Sequence, residues 1–356
     1  ILLPANERLE NSTFHILIAK TNETVYTGNL AYQGVYWNQT GWRNDAIYVA
    51  NFTDLSNEGE FRLETNGRYS YPFKVRADNW YYWLDEMMAF YRFQRCGDNT
   101  TKYINYCDDA APSPSVPHKP CHTDDAFYND SGTIKHFNGT GGWHDAGDNN
   151  KYGSNTAFTD AMLYLIYFRL KSAPRLDNDL NGVPDILEEA KWGSDLLIRQ
   201  INFTDGPIFD LIEIPGNPYQ GNYPTIESGR YGETRDNNYT GSPFKTEQAY
   251  KAAGCLALAY RTWKTPNIKY AEFAKDCLVS AEKAWDWAQA NPNNLGGWYA
   301  GNLEGNKLFA SVELYLATGN SSFLDFASQS ISQLLYTPAT WWGDLTTISL
   351  TELYPN

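Results

Sequence analysis

The spacing of hydrophobic and polar positions changes once along the chain. Over the first 75 or so residues the apolar positions come in short runs. Phe14-His15-Ile16-Leu17-Ile18, Ala46-Ile47-Tyr48-Val49-Ala50, Phe61-Arg62-Leu63-Glu64 and Tyr71-Pro72-Phe73-Lys74-Val75 each read as a strand. Gly, Asn and Asp turn clusters separate them. Several short strands over this length predict a small β-sandwich of immunoglobulin type in residues 1–76. From Trp80 to Phe93 the apolar and aromatic residues recur at helical spacing, interrupted by Asp85, Glu86 and Arg92. The same spacing predicts helices near 155–170, 184–200, 246–263, 269–290, 306–317 and 321–335. No strand signal of comparable strength lies between them, so residues 77–356 are expected to be all-α. The segment from Gly97 to Gly142 is rich in Pro, Asp and Gly and reads as a long loop. Loops of that length tend to carry function.

Composition narrows the class. The chain has 356 residues, 42% of them hydrophobic and 15% aromatic, which is a folded composition with room for two domains. A net charge of −14 argues against a nucleic-acid partner and fits a secreted protein that binds neutral ligands. No run approaches the apolar length of a membrane span. The first residue is Ile1, which suggests a processed or truncated start. Asn11, Asn22, Asn38, Asn51, Asn99, Asn129, Asn138, Asn202, Asn238 and Asn320 each begin an Asn-x-Ser/Thr sequon. This composition would carry roughly half as many by chance. N-linked glycans and a secretory, extracellular destination follow as expectations; an Asn-rich composition alone is the plainer account. The five cysteines, Cys96, Cys107, Cys121, Cys255 and Cys277, are not a dense disulfide framework.

The chemistry concentrates in Gly141-Gly142-Trp143-His144-Asp145-Ala146-Gly147-Asp148. Glycines allow a tight backbone and close approach to a ligand. Trp143 offers a flat apolar face to a sugar ring. The carboxylates of Asp145 and Asp148, three residues apart, can hold a water and take its proton. The same residues could instead form a turn or a calcium loop. Asp177-Asn178-Asp179-Leu180-Asn181-Gly182, followed by Glu188, matches the spacing of a twelve-residue calcium loop. Asp177, Asp179, Asn181, the Val183 carbonyl, Asp185 and Glu188 would be the ligands. An acidic helix N-terminus, which the helix dipole favours, would look the same. Cys96, Cys121, His122 and His144 make a complete donor set for tetrahedral zinc; a Cys96–Cys121 disulfide with two surface histidines uses them differently. Cys107, Cys255 and Cys277 read as buried free thiols. Trp143, Trp298, Tyr299, Trp341 and Trp342 are candidate sugar platforms, although aromatics of such a domain mostly serve its core.

The Asp-Ala-Gly-Asp loop resembles the signature of glycoside hydrolase family 9, the inverting cellulases. The resemblance extends to Tyr91-Arg92-Phe93-Gln94-Arg95-Cys96-Gly97, Cys121-His122, Val183-Pro184-Asp185-Ile186-Leu187-Glu188-Glu189 and Glu313-Leu314-Tyr315-Leu316-Ala317-Thr318-Gly319. The order of domains is similar to the subgroup with an N-terminal immunoglobulin-like module. That resemblance implies an (α/α)6 barrel with an open cleft, Asp148 as general base and Asp145 holding the same water. It also implies structural zinc at Cys96, Cys121, His122 and His144, tying the long loop to the catalytic segment.

The chain departs from the family at three places. The family's general acid, a glutamate in a C-terminal Asn-Glu segment, is not found, nor is the His-x-Arg segment before it. Asn306-Lys307 stands where the family commonly has Asp-Glu. The predicted helices fall short of the twelve of an (α/α)6 ring, whose opening would expose apolar faces. The helical domain is therefore expected to be partial at its C-terminus, either belonging to a longer enzyme or completed by another chain through self-assembly. Two functions remain: a secreted endo-β-1,4-glucanase acting on cellulose-like β-glucan, or an inactive, glycosylated structural or carbohydrate-binding protein on a cellulase-like scaffold.

Overall fold

The computed structural model describes residues 2–4, 13–36, 45–77, 79–98, 126–130, 132–145, 150–170, 177, 180–213, 230–232, 244–264 and 270–334. The chain divides into two compact units, Ile1–Leu84 and Asp85–Asn356.

The first unit is a β-sheet. Its strands are β1 (Leu2–Pro4), β2 (Thr13–Ile18), β3 (Thr24–Tyr36), β4 (Asp45–Ala50), β5 (Gly59–Thr65), β6 (Arg68–Tyr69) and β7 (Phe73–Val75). They run in the order β1-β4-β3-β2-β5-β6, with β7 pairing β5. The pivot is β3. Its first half pairs with β2 and its second half with β4, both antiparallel. Irregular register between Ile16 and Leu17 and between Tyr32 and Gly34 bends the sheet, giving a half-barrel around Phe14, Ile16, Leu30, Ala46, Tyr48 and Phe61. Alternation puts these side chains on one face.

The spacing located β2, β4, β5 and β7 but missed β3. Gly28 and Gly34 punctuate β3 and look like turn residues. In the fold Gly28 is a point of close approach, because a Cβ there would lie 2.6 Å from the ring of buried Phe14. Gly34, at φ +106, sits at the register irregularity.

The second unit is mostly helical. Helix α1 (Asn79–Gln94) carries the division between the units; α2 (Gly153–Leu170), α3 (Asp185–Thr204), α4 (Thr246–Trp263), α5 (Ala271–Ala290), α6 (Leu303–Thr318) and α7 (Ser322–Leu334) follow. These are the segments predicted from helical spacing, with ends moved by a few residues. Helix α4 packs on α2, α5 and α6, and the run Ala252 to Ala259 is buried all round, as expected of a central helix. Cys255 and Cys277 are buried free thiols on α4 and α5; Cys107 lies outside the described residues. None of the described helices is long and apolar enough to cross a membrane.

The all-α expectation needs correction. The unit also holds a five-stranded sheet of β8 (Ala126–Asp130), β9 (Thr133–Phe137), β10 (Lys151–Tyr152), β11 (Leu211–Glu213) and β12 (Arg230–Gly232), in the order β10-β11-β12-β8-β9. The β8–β9 hairpin lies within the segment read as loop. Strands this short carry too few alternating positions to show a period, and they form because tertiary partners supply their hydrogen bonds.

A polar network crosses the helical core. The Asp160 carboxyl on α2 is wholly buried and accepts from Ser194 Oγ of α3 at 2.7 Å. Ser194 Oγ lies 2.9 Å from the Tyr164 hydroxyl, which accepts from Trp263 Nε1 at 3.1 Å. Burial pushes the Asp160 carboxyl well above the ordinary range, and the charges of Asp195 and Glu189 add to it, against hydrogen bonds from Ser194 and Cys255. The folded state therefore holds a proton that the unfolded chain releases above about pH 4. Asp160 favours folding most at acid pH, and this contribution is lost as pH rises from the unfolded value towards the folded one. Asp160→Asn is expected to be more stable than the parent at pH 7 and to flatten the decline above about pH 4. Thermal melts across that range check this; parallel curves for the two proteins would refute it.

Candidate active site

The glycine-flanked segment is laid along the C-terminal end of α1. His144 N–H donates to Gln94 O at 2.9 Å, Cys96 N–H to Gly142 O at 2.9 Å, and Gly141 N–H to Cys96 O at 3.1 Å. Gly141 and Gly142 have φ of +99 and +66, and a Cβ on Gly142 would lie 2.7 Å from Leu196 Cδ2. Glycine is required there by conformation and by space. Further donors fix the loop carbonyls. Trp192 Nε1 reaches Gly142 O at 3.0 Å. The buried Lys151 ammonium donates to the carbonyls of Gly139 and Gly141.

Beneath the loop lies a charged clamp. Arg95 meets Glu189 of α3 through two nitrogens, Nε at 3.1 Å and Nη2 at 2.8 Å. Glu189 Oε1 also accepts from Trp143 Nε1 at 2.7 Å. Arg95 further pairs with Asp98 at 3.3 Å and stacks 4.8 Å from the Trp192 ring. The Glu189 side chain is wholly buried. A paired fork of this kind is the strong form of charge-assisted hydrogen bond. It sets the plane of Trp143, which the Tyr91 ring meets edge-on at 6.0 Å. Burial, then the Glu189 charge, raises the Tyr91 hydroxyl above its usual range.

Above the loop is a cleft of about 440 Å³, within the range of small-ligand sites. Phe90, Tyr91, Trp143, Tyr152, Asp145 and Asn155 contribute to its walls. Asp145 is partly exposed; one carboxylate oxygen accepts from Asn155 Nδ2, and its N–H donates to Asn150 O at 2.9 Å. A carboxylate fixed by an amide donor, in an aromatic-walled cleft, is equipped to orient a water or a sugar hydroxyl.

The other predicted site residues divide as follows. Asp148, Trp341 and Trp342 lie outside the described residues. Trp143 is buried to 6% exposure, with its indole N–H engaged. Trp298 is 37% exposed, and the Tyr152 ring contacts both it and Tyr299 at 6.0 and 5.0 Å. Of the sequon asparagines, Asn22, Asn51, Asn138, Asn202 and Asn320 are exposed. Asn129 is on β8, and Asn11, Asn38, Asn99 and Asn238 lie outside the described residues.

The metal expectations are overturned. Among the described residues no three or more His, Cys, Asp or Glu side chains are grouped to hold a metal ion. Of the four zinc candidates, Cys96 and His144 are described and both are buried; Cys121 and His122 lie outside the described residues. Cys96 is buried, and backbone bonds tie the loop to it. In the calcium segment the oxygens serve the turn itself. Asp177 accepts from the N–H groups of Asn181 and Gly182 at 3.0 and 2.9 Å. Asn181 Oδ1 accepts from Val183 N–H at 2.9 Å, and Asn181 Nδ2 donates to Glu188 at 2.8 Å. An amide donor aimed at Glu188 is the reverse of what a cation requires. Asp185 pairs with Arg92 at 3.1 Å, and Asp179 lies outside the described residues. Asp185 and Glu188 stand in the first turn of α3, the acidic helix start that the same spacing allowed.

Sequence reasoning gave no role to Glu189, Arg95, Lys151, Asn155 or Lys251. A signal existed for Lys251, a lysine beside the alanine-rich run of α4, where an ionisable residue in an apolar stretch marks a buried charge. Arg95 and Glu189 meet across 94 residues, and Lys151 and Asn155 reach partners 10 to 12 residues back, a separation that no helical or strand period marks.

Comparison with known proteins follows the same lines. The sequence pattern of glycosyl hydrolase family 9 matches residues 81–354. The chain is similar to Endoglucanase D of Acetivibrio thermocellus, 24% identical over 336 residues, covering 90% of this chain and 50% of that protein. Among solved structures it is similar to a metagenome-derived glycoside hydrolase family 9 endoglucanase, at 26% identity and a TM-score of 0.71, over 96% of this chain and 62% of that one. It also shares the fold of the Bacteroides ovatus GH9 structure, at 19% identity and a TM-score of 0.73, over 96% of this chain and 63% of that one. The chain spans about half the length of the curated relatives it matches.

Proposed function

Because the chain belongs to glycosyl hydrolase family 9, we propose that this protein is a secreted β-1,4-glucanase that hydrolyses cellulose-like chains internally and with inversion. Asp148 is the general base that deprotonates the attacking water, and Asp145 holds that water from the other side. Inversion places the water on one face of the sugar and a carboxylic acid on the opposite face, at the leaving oxygen. Trp143 and Tyr91 form part of the cleft wall, and Trp298, Tyr299, Trp341 and Trp342 are further candidates for stacking on sugar rings. In this reading the N-terminal half-barrel is an immunoglobulin-like module. The helices belong to an (α/α)6 architecture, and the exposed sequon asparagines carry N-glycans in an extracellular setting.

The observation that carries the reading is Asp145 in an aromatic-walled cleft, on a loop locked by the Glu189 clamp. A locked loop keeps Asp145 in place without reorganisation. The test is proton NMR of fresh product from cellopentaose. The expected result is α-anomer before mutarotation. Initial β-anomer would overturn inversion. Tight binding of cellopentaose with no cleavage would transfer the site to a carbohydrate-binding role.

A further inference from the structure

Trp298 and Tyr299 lie on the turn between α5 and α6, and that turn is anchored at several backbone atoms. Trp298 N–H donates to Asp210 Oδ1 at 2.8 Å. Gln248 Nε2 donates to the same oxygen and, at 3.2 Å, to the Trp298 carbonyl. The Tyr299 carbonyl accepts from Ser154 Oγ and, at 3.2 Å, from Lys251 Nζ. Tyr299 itself has φ +50, a left-handed conformation that persists in an aromatic residue only where its surroundings over-determine it. Gly297 closes the packing, since a Cβ there would lie 2.7 Å from Gln248 Nε2 and 3.1 Å from Asp210 Oδ1. The strained turn presents the half-exposed Trp298 beside Tyr152, which lines the cleft. The Trp298 ring, 37% exposed, leans at 6.0 Å on the buried Tyr152 ring of the cleft wall.

Asp210 is an expensive residue to have underneath. It is wholly buried, and its Oδ2 has no hydrogen-bond partner. Burial pushes its carboxyl up to about 6, against the lowering effect of the Gln248 and Trp298 hydrogen bonds. The charged groups facing it come from the start of α4 and oppose one another: Lys245 favours the ionised form and Glu247 disfavours it. The turn from Asn291 to Asn302 brings no carboxylate or basic side chain. An uncharged amide would fill the same volume without placing a charge in the core.

Resting on the glucan-binding reading above, we propose that Asp210 is a positioning residue: its ionised carboxylate fixes the Trp298–Tyr299 turn as a sugar-stacking shelf, and its protonation loosens the shelf and weakens glucan binding. The physical basis is the stronger hydrogen bond accepted by a charged oxygen. Asp210 contributes to stability in the opposite sense. A carboxyl whose folded value is raised favours folding at acid pH, and that contribution is lost as pH rises from about 4 to about 6. A neutral replacement should therefore not destabilise the fold above pH 6 while it impairs the shelf.

The experiment titrates the full chain, carrying Asp148→Asn in every sample to prevent cleavage, with cellopentaose by calorimetry at pH 5 and pH 7.5, with thermal melts alongside. The parent should bind about three- to tenfold more weakly at pH 5 than at pH 7.5. Asp210→Asn should bind equally weakly at both values, with a melting temperature at pH 7.5 no lower than the parent's. Trp298→Ala, a change at an exposed side chain, should bind weakly without a pH step. Parent-like affinity and pH response in Asp210→Asn would overturn the proposal. So would a loss of binding that merely follows a fall in melting temperature. If the parent binds no cellopentaose at either pH, the glucan reading falls and takes this inference with it; a parent that binds beside an unaffected Asp210→Asn sinks this inference alone.

Discussion

Asp148→Asn should lower kcat on β-1,4-glucans by about 10²–10⁴-fold and leave KM for cellopentaose nearly unchanged. Asparagine keeps the shape and hydrogen-bonding reach of the side chain but cannot take a proton at neutral pH. The interaction lost is one made only as water attacks, so it appears in kcat rather than in binding. Asp145→Asn should cost less, because an amide oxygen still accepts a hydrogen bond from water. Steady-state kinetics with both variants check the ranking. A larger loss at Asp145 would exchange the two roles, and a rise in KM equal to the loss in kcat/KM would make Asp148 a binding residue.

Glu189→Ala should destabilise the second unit by about 3–5 kcal/mol. The change removes the carboxylate that takes two of the Arg95 nitrogens, in a site where the Arg95 side chain is 12% exposed. It also removes the acceptor of the Trp143 indole, a further unsatisfied donor. Replacing both Arg95 and Glu189 with Met should cost less than Glu189→Ala alone, since neither charge of the fork is then left without the other. Urea unfolding of the single and double variants gives the coupling directly. If the double variant lost the sum of the two single effects, the clamp would be two independent contacts. Because Arg95 and Trp143 border the catalytic loop, the double variant should also lose activity at full folding. Methionine offers no acceptor for the Trp143 indole N–H that Glu189 holds.

Helical periodicity was the most legible layer of the sequence. Helices α2 to α7 each bury a continuous apolar stripe or, in α4, a whole surface, and such stripes repeat often enough to be read without a partner. The glycine-flanked loop was legible for another reason: Gly141-Gly142-Trp143 next to Asp145 concentrates conformational freedom, an aromatic face and a carboxylate in a few residues. Strand β3 was not legible because its glycines answer to Phe14 across the sheet and to an irregular pairing with β4.

The metal sites show where one-dimensional spacing misleads. Asp177, Asn181 and Glu188 have the spacing of ligands, but spacing does not say whether oxygens converge on one point. Here they turn to the N–H groups of their own loop and to an amide. Local hydrogen bonding of this kind is always within reach of Asp and Asn side chains.

The sequence by itself determined a β-rich N-terminal unit, the helices after it and the loop that carries the carboxylates, because each depends on neighbours within a few residues. Only the tertiary structure decided what holds that loop. Arg95, Trp143 and Glu189 come from three separate segments, and Asp210, Gln248 and Trp298 from three more. Whether a buried charge serves the core or the site depends on which partner the fold brings to it, and that partner is set by helix packing across tens of residues rather than by any local pattern.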